Sequence, residues 1–257
     1  MKKETPDMNF DSYTDYQYLV EELDIMSNPS DFAIVSNIAK FHDVKKILEI
    51  GGGCAGWSIG VNKVLGNTPD ITVVENFEFT NYTNYGGNWP PSEDLLKKRI
   101  EEKCINLNCE HNINILNMDA INIPEKLNNE KFDLIRIDCL GSNYDEVEKV
   151  MRWAHGALYD NGLLYIDDIE PRSVINRFLF AMDLTREKLI RIVFAGGKEA
   201  VFCKWNSKKA TWDNPYSGFM TRDLIAHVNQ IVPGTIAKRG FKLKCLDDVV
   251  HITYWGC

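Results

Sequence analysis

Apolar positions along this chain fall into two alternating rhythms. Short continuous apolar runs, the mark of strands covered on both faces, stand at Ile47-Leu48-Glu49-Ile50, Ile71-Thr72-Val73-Val74-Glu75, Ile113 to Ala120, Phe132 to Asp138 and Leu163 to Asp168. Between them the apolar residues recur at helical spacing. Phe32, Val35, Ile38 and Ala39 follow Pro29, and Ile59, Val61, Val64 and Leu65 run up to Gly66-Asn67. Leu96, Ile100 and Cys104 follow Ser92, with acids early and bases late as the helix dipole favours. Val147, Val150, Met151, Ala154 and Leu158 form the next helical face, closed by an Asn161-Gly162 turn, and a further helix is predicted over about 171–184. Leu189 to Ala195 and Glu199 to Trp205, joined by Gly196-Gly197-Lys198, predict an antiparallel hairpin. Strands alternating with helices predict an α/β fold with a mostly parallel, doubly wound sheet, helices on both faces and ligands at the carboxyl ends of the strands. The flanks are less patterned. Residues 1–28 form an acidic, aromatic segment with a helix over 15–24, either packed on the domain or covering a pocket as a lid. Residues 29–205 form the domain itself. Residues 206–257, with a helix near 221–231 and a strand-like run from Val249 to Trp255, are expected to pack on it as an extension.

The first strand runs into Gly51-Gly52-Gly53-Cys54-Ala55-Gly56, with glycines at the first, third and sixth places of G-x-G-x-x-G. A strand before it, a helix after it and an acid at the end of the second strand, Glu75, together predict a nucleotide-type site. Glycine permits the sharp turn and the close approach of backbone to ligand, and the acid suits the two hydroxyls of a ribose. Asn76 to Pro91 breaks the pattern as a long loop with large aromatic side chains, among them Phe77, Phe79, Tyr82, Tyr85 and Trp89, placed to shape an acceptor pocket.

Composition narrows the partners. With 29 basic and 37 acidic residues the net charge is −8, and no Lys/Arg block stands out, which argues against a nucleic-acid backbone as ligand. No segment reaches membrane-span length and no signal-peptide core opens the chain, so no membrane association and a cytoplasmic location are expected. Seven cysteines without a C-x-x-C pair fit reduced thiols. The histidines at 42, 111, 155, 227 and 251 show no ligand spacing, and His155 sits in an apolar helical context that marks it as structural.

On these motifs the chain resembles class I S-adenosylmethionine-dependent methyltransferases, whose Rossmann-like seven-stranded sheet ends in an antiparallel hairpin. The resemblance covers about residues 30–205. It implies that Glu49, Gly51, Gly53, Ser58, Glu75, Asp119 and Ala120 hold S-adenosylmethionine, with Glu75 on the ribose, Asp119-Ala120 at the adenine and Ser58 toward the methionine end. Within that class, Ile137-Asp138 and Asn161 to Asp168 are similar to the metal-dependent sugar O-methyltransferases of macrolide and aminocoumarin pathways. That likeness implies Mg²⁺ on Asp138, Asp167 and Asp168. The ends of neighbouring strands lie about 4.8 Å apart, so acids there can converge on a hard cation, which would make a bound hydroxyl more acidic. Asp138 is then also a catalytic candidate. A second acid expected two residues further on is replaced by Leu140, and Asp145 could take that place only if the loop folds back.

The expected function is methyl transfer to a hydroxyl of a small molecule, a sugar or glycoside first, as one step of natural-product biosynthesis, with a homo-oligomer left open. Alternatives remain. The glycine turn and Val74-Glu75 are also similar to spermidine synthases, although their D-S-x-D-P element is absent, and a dehydrogenase using NAD would leave the acids and the hairpin unexplained. Asn214-Pro215-Tyr216 resembles an element of amino-methylating enzymes but stands in the wrong place. A cofactor-binding scaffold without activity is the reading from a different class.

Overall fold

The computed structural model describes residues 13–25, 27–78, 90–140, 143–169, 175–187, 189–196, 199–204, 217–221, 241–246 and 249–254. The chain divides into two compact units, Met1–Ala120 and Ile121–Cys257.

In the first unit the elements run α1 (Tyr13–Leu23), α2 (Pro29–Phe41), β1 (Lys46–Ile50), α3 (Gly56–Val64), β2 (Asp70–Glu75), α4 (Glu93–Asn106) and β3 (Asn112–Asn117). The strands lie in the order β3-β2-β1, all parallel, with Leu48 opposite Thr72 and Val74 opposite Leu116. The apolar residues of β1 and β2 are buried as expected, with Ile47, Leu48, Ile50, Ile71 and Val73 inaccessible to solvent, whereas β3 is only half-buried. Pro29 opens α2 behind Asn28 in extended backbone, because a missing N–H costs nothing in a first turn. Helix α1 is packed into its unit, with Leu19 and Leu23 fully buried and Tyr16 edge-on to Phe32 at 6.2 Å. Gly60 lets α3 approach this layer, since a Cβ there would stand 2.8 Å from Phe32 Cζ and 2.9 Å from Ile25 Cδ1. From α4, Arg99 donates to Cys54 O and Leu23 O, each at 3.1 Å, and pairs with Asp24 at 2.9 Å. One guanidinium thus ties the end of α1 to the glycine turn.

The second unit contains α5 (Ile123–Lys126), β4 (Phe132–Ile137), α6 (Tyr144–Ala157), β5 (Leu158–Ile166), α7 (Ile175–Arg186), β6 (Ile190–Gly196), β7 (Glu199–Lys204), β8 (Ser217–Thr221), β9 (Phe241–Leu246) and β10 (Val249–Tyr254). Its strands follow the order β4-β5-β7-β6-β8-β10-β9. β4 and β5 are parallel neighbours, while β6 and β7 form the expected antiparallel hairpin. The strand pattern therefore follows the Rossmann-like class, with β1 to β3 parallel in the first unit, and β4 and β5 parallel and followed by the hairpin in the second.

Three expectations change. Asn161-Gly162 is not a turn before the fifth strand but lies within it. Phe132 pairs with Leu158 and Leu134 with Leu163, so β5 bulges at Tyr159, Asp160 and Asn161, all exposed, with Asn161 at φ 66°. Leu158, assigned above to a helical face, is the first residue of that strand. Nor does the hairpin end the sheet. β8 lies parallel to β6, with Phe194 opposite Phe219, and β10 and β9 follow antiparallel. The helix expected near 221–231 lies outside the described residues beyond Thr221, which belongs to β8. No described helix is long and apolar enough to cross a membrane.

Candidate functional site

The glycine turn of the first unit is built from backbone that side-chain-bearing residues adopt only with strain. Gly51 and Gly53 sit at φ 85° and 51°, in the left-handed region that favours glycine. Gly51 N and Gly52 N both donate to Val74 O, at 2.9 and 3.2 Å, which presses the turn onto the end of β2. A Cβ on Gly52 would lie 2.1 Å from Val73 Cγ1, so this residue is needed for close approach. Sequence reasoning passed over it, because it fills a free position of the motif. Ala55 then takes φ 56° as the N-cap of α3, which starts immediately.

Two of the three acids of the expected set, Glu75 and Glu49, stand at this turn. Glu75, 9% exposed, accepts from Gly53 N through Oε2 at 2.8 Å, and from Asn76 N and Phe77 N through Oε1 at 3.0 and 3.1 Å. A carboxylate has about four lone-pair sites, so three backbone donors fix its direction and leave about one for a ligand hydroxyl. Glu49 is fully buried at the end of β1 and accepts from Ser58 Oγ in the first turn of α3. Ser58 thus holds an acid, a role its sequence position alone does not reveal. Met118 N donates to Glu75 O at 3.1 Å, which sets the exit of β3 beside that of β2 and places half-buried Asp119 and buried Ala120 just beyond. The residues present fit an adenosyl cofactor. A turn free of side chains faces the N-terminus of α3, and an aimed acid stands at the next strand end.

At the carboxyl ends of β4 and β5 the second unit gathers the other acids, but around arginines. Arg136, in β4 and 5% exposed, places Nη2 2.9 Å from Asp138 Oδ2 and also donates to Asp167 Oδ2. Its guanidinium lies 5.4 Å from the centre of the Tyr165 ring, a cation–π contact that helps retain it. Asp167 Oδ1 accepts from Asp168 N at 2.8 Å, and Asp168 takes φ 53°. Buried Arg177 of α7 donates to Cys139 O at 3.0 Å and to Asp168 O at 3.5 Å, spanning the loops that leave β4 and β5. Burial, with Asp167 and Asp168 adding repulsion, outweighs the attraction of Arg136 and Arg177 and pushes the Asp138 carboxyl up to about 8.

Mg²⁺ on Asp138, Asp167 and Asp168 does not fit this arrangement. Among the described residues no group of three or more His, Cys, Asp or Glu side chains is arranged to hold a metal ion. The two carboxylates that do converge meet on Arg136 Nη2. Asp145 stands exposed in the first turn of α6, its N–H held by the Asn143 side chain at 3.2 Å, which is the helix-start role. Leu140 is buried at φ 81° where a second acid was expected. Arg136 had a visible signal, a charge inside the apolar run Leu134-Ile135-Arg136-Ile137, whereas Arg177 had none. Of the aromatic loop, residues 79–89 lie outside the described residues.

No family model and no curated protein matches the chain. Solved structures resemble it. An O-methyltransferase from Bacillus cereus in complex with S-adenosylhomocysteine aligns at TM-score 0.53 and 13% identity, over 79% of this chain and 93% of that one. An O-methyltransferase of tomaymycin synthesis from Streptomyces achromogenes, in complex with S-adenosylmethionine, aligns at 0.51 and 13%, over 79% and 92%. A TDP-rhamnose 3'-O-methyltransferase of calicheamicin biosynthesis aligns at 0.52 and 12%, over 77% and 97%. At these identities the likeness shows the fold.

Proposed function

We propose that the chain is an S-adenosylmethionine-dependent O-methyltransferase acting on a hydroxyl of a small molecule, with a sugar or glycoside as the first acceptor class. The observation that carries this reading is the Glu75 carboxylate, aimed by three backbone N–H groups at the mouth of the glycine turn. The fold shared with O-methyltransferases supports the reaction type, and the TDP-rhamnose enzyme among them supports the sugar. When bound, the cofactor supplies an electrophilic methyl group on a sulfonium. The chain supplies the rest. Glu75 receives a ribose hydroxyl, Asp119 and Ala120 border the adenine, and the Gly51–Gly53 backbone with Glu49 and Ser58 shapes the methionine end.

Asp138 is the residue we assign as base. Its Oδ2 is paired with Arg136, yet its side chain keeps 27% of its surface exposed just beyond the carboxyl end of β4. It would accept the proton that the acceptor hydroxyl gives up on methylation. Asp145, held in the first turn of α6, is not used.

Calorimetric titration with S-adenosylhomocysteine tests the premise. Saturable binding is expected, weakened at least ten-fold by Glu75→Ala. That substitution removes the ribose acceptor and leaves three N–H groups to find others, a loss of about 1–3 kcal/mol. No binding by the wild-type protein would overturn the reading. Titration with decarboxylated S-adenosylmethionine and with NAD then separates the aminopropyl-transfer and dehydrogenase alternatives.

A further inference from the structure

A metal-assisted methyl transfer needs carboxylates free to coordinate, and at the ends of β4 and β5 they are already engaged. Asp138 Oδ2 and Asp167 Oδ2 converge on the same atom, Nη2 of Arg136. A divalent cation bridging those two oxygens would have to take that atom's place. It would also have to displace a guanidinium that is 5% exposed and packed against the Tyr165 ring. Arginine stays protonated at every working pH, so the displaced charge would remain in the site and repel the incoming ion. Arg136 already neutralises one of the two converging carboxylate charges. Mg²⁺ favours oxygen ligands in regular octahedral geometry, and a nitrogen donor lodged between two of those ligands defeats that geometry. Arg177 reinforces the arrangement from α7 by pinning the backbone carbonyls of Cys139 and Asp168, so the two loops stay near each other without a metal.

We propose that Arg136 is a built-in replacement for the divalent cation: its guanidinium is the permanent counter-ion and positioning group for Asp138 and Asp167, and the site binds no Mg²⁺. The inference deepens the functional reading above and rests on it only for the reaction served. Its physical content, a cation site closed by a guanidinium, stands apart from activity.

The test counts free Mn²⁺ by electron paramagnetic resonance as the ion is titrated into the full chain, with S-adenosylhomocysteine affinity measured in parallel as the check on folding. Wild-type protein and Arg136→Lys, which keeps a positive charge, should leave Mn²⁺ free. Arg136→Met should gain at least ten-fold in Mn²⁺ affinity, and adding Asp167→Asn to it should remove the gain. Saturable Mn²⁺ binding by the wild type that is lost in Asp168→Asn would overturn the proposal. So would an Arg136→Met variant that binds S-adenosylhomocysteine as the wild type does yet gains no Mn²⁺ affinity. Should Arg136→Met fail to fold, the wild-type and Arg136→Lys titrations decide alone. Failure of the wild type to bind S-adenosylhomocysteine would sink the methyltransferase reading while leaving the Mn²⁺ result interpretable.

Discussion

Gly52 shows how a residue with no side chain can govern a site. Its amide caps Val74 O, and its missing Cβ is the space that Val73 Cγ1 fills. Val73 is fully buried in the middle strand of its unit, between β1 and β3, so it has no free volume to move into. Gly52→Ala should therefore push the turn off the end of β2. We expect about 1–3 kcal/mol of lost stability, read as a lower urea midpoint, together with weaker S-adenosylhomocysteine binding. A variant matching the wild type in both would show that the turn yields at no cost. The same scale explains which site residues were legible. Gly51, Gly53 and Glu75 follow from a motif whose chemistry is local, and each stands where the motif requires. Ser58 and Arg136 act through partners distant in sequence, nine residues away at Glu49 and 31 residues away at Asp167. Residue type alone could not assign those bonds.

Helix α6 carries its own start and stop signals, and its end contains a titrating group. Asn143 caps the first turn, Asp145 and Glu146 follow it as the dipole favours, and His155 stands in the last turn. Burial depresses the His155 pKa, and the nearby charges of Lys204, Arg152 and Lys131 lower it further against a bond at Leu189 that raises it. The folded chain then binds this proton less readily than the unfolded chain. The contribution to stability is complete above the unfolded pKa of about 6.5 and is lost as pH falls through the lower folded value. We expect the wild-type urea midpoint to drop from pH 7 to pH 5, and His155→Gln to flatten part of that drop. Equal slopes for the two proteins would remove His155 from the account. Element boundaries were less legible than element identities. The period of 3.6 that marks α6 runs on through Leu158, but pairing with Phe132 of β4 draws that residue into β5. The Asn161-Gly162 pair has the composition of a turn and serves instead as a bulge, because both strands continue past it. Strand β9 went unpredicted although Phe241-Lys242-Leu243-Lys244-Cys245 alternates apolar and polar residues. The signal was present in the pattern itself.

For the whole molecule, the C-terminal residues change what the hairpin is. Without β8, β6 would be the last strand of its unit, with its outer row of backbone donors and acceptors unpaired. A chain ending at Trp205 should keep S-adenosylhomocysteine binding, whose residues lie in the first unit. It should also show a lower urea midpoint and concentration-dependent aggregation, measured by light scattering. A truncated chain as stable and monodisperse as the full one would mean that this edge needs no cover. By itself the sequence determined the strand–helix alternation, the glycine turn with its two acids, and the acids that close β4 and β5, because hydrophobic period and backbone permission are local properties of the chain. Only the tertiary structure decided that the acids at those ends meet an arginine. It also decided that three further strands follow the hairpin. Charge pairing and strand pairing join residues tens of positions apart, and which partner arrives is settled by folding.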